Sequence, residues 1–123
     1  TNCCQDSAQT DPNEINCSSC ITINSVIPST ITVNQDASIT YSITCAEEFN
    51  LTINLLDEND VNVGVLYDTA IDNNGIALTE QDYFRELEIS LLGLTAGNYN
   101  VSIELTDYTI FGIHYPITLI EDD

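Results

Sequence analysis

The chain has no lysine, one arginine (Arg85) and one histidine (His114), set against 20 aspartates and glutamates, for a formal charge of -19 at pH 7. Such a surface repels phosphate, so nucleic acid and anionic membrane are poor partners for it. Tryptophan is absent, which leaves little on which a sugar-cleaving site would stack its substrate. Methionine is absent too, and the initiator is expected to have been removed, either by excision ahead of Thr1 or together with a leader. No apolar run reaches the roughly 18 residues of a membrane helix. The opening Thr-Asn-Cys-Cys-Gln-Asp has neither the basic nor the apolar part of a signal peptide. Catalysis of the Ser-His-Asp or Cys-His kind has only His114 as base, and the place of His114 between Ile113 and Tyr115 in an alternating run gives it an outward polar position. Gly-rich phosphate loops and a Gly-x-Ser-x-Gly elbow are missing. The expectation is a protein that is not an enzyme and holds no organic cofactor.

What is present is alternation. Hydrophobic content of 43% over 123 residues is that of one globular domain, not of a disordered acidic tail. Residues 1–19 are polar and read as an arm, and residues 20–123 as a β-sandwich domain. Within the latter, Ile21, Ile23 and Val26 form a first strand stopped at Pro28, with Ile31 and Val33 a short piece across the break. Ile39, Tyr41, Ile43 and Cys45 alternate with Ser38, Thr40, Ser42 and Thr44, and Phe49, Leu51, Ile53 and Leu55 make the next row. Asp57-Glu-Asn-Asp60 turns the chain into Val61, Val63, Val65 and Tyr67, expected as a hairpin partner. Asp72-Asn-Asn-Gly75 is another turn, and Glu80 to Phe84 is open between a strand and one helical turn. Leu87, Ile89 and Leu91 then alternate with Glu88 and Ser90, and Tyr99, Val101, Ile103 and Leu105 with Asn100, Ser102, Glu104 and Thr106. Each of these runs has one dry and one wet face, and their β-branched content argues against helix. A last run carries Ile113, Tyr115, Ile117 and Leu119, with Pro116 predicting a sheet edge or a bulge. Roughly seven to nine short strands at this spacing read as an all-β sandwich.

The corner Gly93 to Tyr99, with Gly97-Asn98-Tyr99 opening the strand, resembles the E-to-F connection of immunoglobulin-like and fibronectin-type β-sandwiches. The resemblance implies that the Tyr99 hydroxyl bonds back to nearby backbone and closes the corner. The chain departs from antibody domains in having no tryptophan and in placing Val101 where the strand F cysteine stands, so an inter-sheet disulfide is not expected. The fold class is therefore an immunoglobulin-like or jelly-roll sandwich of antiparallel strands behind an N-terminal arm.

Five cysteines occur, at Cys3, Cys4, Cys17, Cys20 and Cys45. Adjacent residues do not easily meet disulfide geometry, so Cys3 and Cys4 each need a separate partner. The odd total leaves one thiol free, or for another molecule, if the rest pair at home. Cys17-Ser-Ser-Cys20 has redox spacing without the βαβ context. Zinc held by Cys3, Cys4, Cys17 and Cys20 has the ligand count, but adjacent ligands close a tetrahedron awkwardly. Cys45 also reads as a buried apolar thiol. A Cys3-Cys4 pair near the start of a polar arm, ahead of an all-β domain, is similar to the subunits of bacterial endospore appendages. That similarity is confined to the two cysteines and the general architecture, and it implies an arm that reaches into neighbouring subunits and is disulfide-linked to them.

Asp57, Glu58, Asn59 and Asp60 share one turn, and Asp68 and Asp72 flank the next. Clustered hard oxygens suit Ca²⁺, so Asp57, Asp60, Asp68 and Asp72 are the candidate ligands. Arg85, the sole cation, is expected in a salt bridge on a wet face. Asn16, Asn50 and Asn100 head Asn-x-Ser/Thr sequons, acceptors of glycan if the chain is exported. Together these readings point to an extracellular or cell-surface structural subunit that polymerises with copies of itself. The arm would supply disulfides, and edges such as Ile21 to Ile27 or Tyr115 to Ile120 would offer unpaired backbone for strand addition. The alternative is a monomeric secreted binding or adhesion module, stabilised by calcium, with the arm stapled internally.

Overall fold

A computed structural model gives the fold for residues 21–44, 46, 48–105 and 112–121. The arm, all five cysteines and Asn16 lie outside the described residues, as do the zinc, redox and cross-linking readings attached to them. Eight strands follow in order: β1 (Ile21–Ile27), β2 (Thr30–Thr32), β3 (Ala37–Ile43), β4 (Leu51–Leu56), β5 (Asn62–Asp68), β6 (Gln81–Leu87), β7 (Gly97–Leu105) and β8 (Gly112–Ile120). One helical turn, α1 (Thr69–Asp72), and a 3-10 turn, Ile89–Leu92, interrupt them. The strands make a three-stranded sheet ordered β1-β3-β6 and a five-stranded sheet ordered β2-β8-β7-β4-β5, the second curled like half a barrel.

Alternation places the core. In β3, Ala37, Ile39, Tyr41 and Ile43 are buried while Ser38, Thr40 and Ser42 turn outward, and from the other sheet Leu51, Ile53 and Leu55 of β4 and Val101, Ile103 and Leu105 of β7 meet them. Ile39, Tyr41, Ile43, Ile53, Val101 and Ile103 in these rows are β-formers that pack well on a pleated surface. The chain leaves the first sheet at Pro28 and enters the second, where β2 runs parallel to β8. Thr118 N donates to Ser29 O at 2.8 Å and Val33 N to Ile120 O at 3.0 Å. The same segment of chain thus belongs to both sheets and ties them along one side. One strand pair is parallel where only antiparallel pairing was expected.

Pro116 sits where that switch permits it. The amide of Thr118 points toward β2, so the position of the missing Pro116 amide, two residues earlier, faces the same side, where β2 has not yet begun. The ladder loses no donor there, although β8 lies inside the sheet at its far end. Tyr115 to Ile120 is accordingly not an open edge throughout, because β2 covers Thr118, Leu119 and Ile120.

Two further expectations are corrected, and one reading left open is decided. The alternation of Leu87, Ile89 and Leu91 is not one strand: β6 ends at Leu87, and Ile89–Leu92 coils into the 3-10 turn. Gly93 closes that turn in the left-handed region (φ 63°), a conformation that favours glycine. Ile89 is buried and Leu91 is 75% exposed, so the two no longer share a face. Val61 and Val65 do not face the core. Register shifts between Ile53 and Asn54 and between Leu55 and Leu56 break the alternation of β5, leaving Tyr67 inside and both valines exposed. Glu80 to Phe84 is strand from Gln81 on, and the helical turn comes earlier, where the Asp68 carboxylate caps α1 by accepting from Ala70 N at 2.9 Å. The corner behaves as the resemblance implied: Tyr99 Oη donates to Thr95 O at 2.7 Å.

Gly64 lies under the 3-10 turn, where an added Cβ would stand 2.5 Å from a Leu92 methyl carbon. Gly64→Ala is expected to destabilise the fold by about 1–3 kcal/mol, the usual cost of overpacking. Combining it with Leu92→Ala should recover part of the loss in a denaturant-melting double-mutant cycle, and strictly additive losses would contradict the contact.

Candidate functional site

The most unusual chemistry inside the sandwich is built around its only arginine. In β6, Tyr83, Arg85 and Leu87 alternate with Asp82, Phe84 and Glu86, so Arg85 points to the same side as the buried Leu87. Its guanidinium carbon lies 4.4 Å from the centroid of the Tyr67 ring and 5.7 Å from that of Tyr83. Arg85 Nη2 donates to Tyr67 Oη at 3.1 Å, and Tyr83 stacks on Tyr41 with centroids 5.2 Å apart. The expected salt bridge on a wet face is replaced by an inward cation over aromatic faces, a geometry that the planar guanidinium tolerates with little hydration. Tyr67 comes from β5, so the cluster joins the edges of the two sheets on the side opposite the β1–β2 switch. Arg85 Nε and Tyr41 Oη are buried without a hydrogen-bond partner. Burial pushes the Tyr41 hydroxyl up to about 12, the nearby Arg85 charge pulling it only partly back. Tyr67 is raised as well, again by burial first and with Arg85 opposing.

The carboxylate turns are occupied by backbone. Asp57 Oδ1 accepts from Asn59 N (2.8 Å) and Val61 N (3.0 Å), and Asp57 O accepts from Asp60 N, whose residue has φ 63°. Asp72 Oδ2 accepts from Asp68 N at 2.9 Å. The two turns stand at opposite ends of β5, so Asp57 and Asp60 are not brought to Asp68 and Asp72. Among the described residues no group of three or more His, Cys, Asp or Glu is placed to hold a metal ion. Glu48 and Glu80 line an open hollow of about 590 Å³ with Ala46 and Thr79. His114 is exposed on the outward face of β8, opposite Ser102.

Of the sequons, Asn50 immediately precedes β4, where its Oδ1 accepts from Thr69 Oγ1 at 3.2 Å. Asn100 is in the middle of β7 between Leu56 and Pro116, and the Ser102 that completes its sequon is fully buried. The outer face of the three-stranded sheet is a polar lattice. Asn24 Nδ2 donates to Ser42 Oγ (2.8 Å), Ser42 Oγ to Asp82 Oδ1 (2.7 Å) and Ser38 Oγ to Glu86 Oε2 (3.3 Å), and Ser25 pairs with Thr40 at 2.8 Å. Phe84, opposite Thr40, is 59% exposed among them. The tyrosine cluster went unread because β6 was open between strand and helix. Once Gln81–Leu87 is a strand, the period of two puts Tyr83 and Arg85 on the face of Leu87. No protein-family model matches the chain, and no curated protein matches it either.

Two outcomes follow from the cluster. The unfolded chain gives up its tyrosine proton near the ordinary 10.0, while Tyr41 holds it to about 12. Stability is therefore full below pH 10 and falls as pH rises from there through 12, by up to about 3 kcal/mol. Alkaline unfolding followed by circular dichroism should show the loss, and Tyr41→Phe should flatten it; an unchanged slope in the variant would contradict the assignment. Trypsin has one bond to cut, after Arg85. The native chain is expected to stay intact and the unfolded chain to yield two fragments, whereas rapid native cleavage would show β6 to be frayed.

Proposed function

We propose that this chain is a structural subunit of an extracellular or cell-surface assembly, joined to copies of itself through its cysteine-bearing N-terminal arm. The observation that carries the reading is the distribution of sulfur. No cysteine falls within any of the eight strands, and among the described residues the apolar rows fill the space between the sheets from Ile, Leu, Val, Phe, Tyr and Ala37. Val101, fully buried between Leu55 and Tyr115, fills the place an inter-sheet disulfide would take. A core whose described residues need no cross-link leaves the four thiols that precede β1 for work elsewhere.

The finer fold reading supports an independent module of this kind. With β1, β3 and β6 as strands A, B and E, and β8, β7, β4 and β5 as G, F, C and C′, the sheet order resembles that of immunoglobulin-like domains, and Tyr99 supplies their corner. Such domains serve as structural units and as binding modules, and the arm separates the two uses.

Electrophoresis of purified material without reductant is expected to give a ladder of multimers that collapses to monomer on reduction. Cys3→Ser with Cys4→Ser should shorten the ladder. A lone monomer band under both conditions would return the chain to the second reading, a solitary secreted binding or adhesion module.

A further inference from the structure

The structure assigns β1 as the edge on which a second copy of this chain docks, an inference that rests on the homopolymer reading and adds the surface for its non-covalent contact. Each other open margin carries a feature that discourages pairing. Along β6, antiparallel pairing about Phe84 would set Asp82 of one copy against Glu86 of the other. The β5 strand is bent by two register shifts and lies between the Asp57–Asp60 turn and the Asp68–Asp72 turn. The β2 strand has three residues, and the part of β8 that β2 leaves uncovered lacks a donor at Pro116.

The β1 strand carries the fewest such features. It has seven residues, pairs with β3 on one side and, among the described residues, with no strand on the other. Its single irregularity is the register shift between Ile23 and Ser25. The strand Ile-Thr-Ile-Asn-Ser-Val-Ile holds no charge, and Asp36 is the only carboxylate between Glu14 and Glu47. Thr22 and Asn24 are exposed, and Ile27 is 64% exposed. On a molecule of net charge -19, an uncharged edge is where two copies meet at the least Coulomb cost. Unpaired β-branched backbone then supplies the attraction. Two-fold antiparallel pairing about the middle of β1 joins the two three-stranded sheets into one and brings Thr22 of each copy toward Ile27 of the other.

The test uses the full chain kept reduced, so that sulfur plays no part, with association measured by sedimentation at several concentrations and salt levels. A dimer is expected that tightens with added salt, because screening removes repulsion between like-charged copies. Thr22→Glu with Ile27→Glu should weaken it on the order of tenfold or more, and Thr22→Glu with Ile27→Lys should restore it, since opposite charges then face each other. Asn98→Asp, one added negative charge placed on β7 instead, should leave association unchanged. If the glutamate pair fails to fold, amide exchange of the native protein decides instead: β1 amides should gain protection in concentrated over dilute samples. Monomer at every concentration and salt, equal association of the glutamate pair and the Asn98 control, no recovery with lysine, or no gain in protection would each overturn the assignment. A disulfide ladder that forms under oxidising conditions while β1 variants have no effect sinks the edge alone. A reduced dimer without any ladder sinks the arm alone.

Discussion

Everything in this fold hangs on one interlock, the meeting of the β3 row with those of β4 and β7 between the sheets. Ile39, Tyr41 and Ile43 press against Leu51, Ile53, Leu55, Val101 and Ile103, all essentially without solvent contact. The need for it is electrostatic: a surface charge of -19 pushes the folded chain apart. Neither sulfur nor a buried ion pair counters that push within the described residues. The apolar layer is the counterforce, and the chain threads around it, crossing from one sheet to the other at Pro28 and closing the far side with Arg85 between Tyr67 and Tyr83.

The parts governed by that layer were legible in the sequence. Period-two rows located β1, β3, β4, β7 and β8, and the Gly97-Asn98-Tyr99 corner foretold the bond from the Tyr99 hydroxyl. Reading failed where a second constraint overrode the period. Asp36 Oδ1 accepts from Ser90 N at 2.9 Å and Gly93 takes a left-handed conformation, so the chain coils at Ile89–Leu92 although its residues alternate like a strand. Two bulges opposite β4 defeated the valine row of β5, because each inserted residue flips the faces that follow. The parallel β2–β8 pair rests on a three-residue strand, too short for periodicity to register.

The candidate site was less legible than the fold. Arg85 stood out for its charge, and charge led to the wrong face. What decides its orientation is the parity it shares with Leu87, together with three tyrosines brought from β3, β5 and β6 by tertiary pairing. The carboxylates were read as possible ligands because they lie close in sequence, yet turns need acceptors for their own amides, and Asp57, Asp68 and Asp72 meet that need. Negative charge is thereby spread over turns and the outward face of β6, and withheld from the edge that β1 presents.

The proposal that joins these features is that the described core holds together without sulfur while the thiols of the arm bridge to neighbours. Its most direct measurement is disulfide mapping by mass spectrometry on assemblies grown from an equal mixture of light-nitrogen and heavy-nitrogen subunits. Linked peptides containing Cys3 or Cys4 with one light and one heavy partner are the predicted result. Linked peptides that are always wholly light or wholly heavy would mean that every bridge closes within its own chain, and would contradict it.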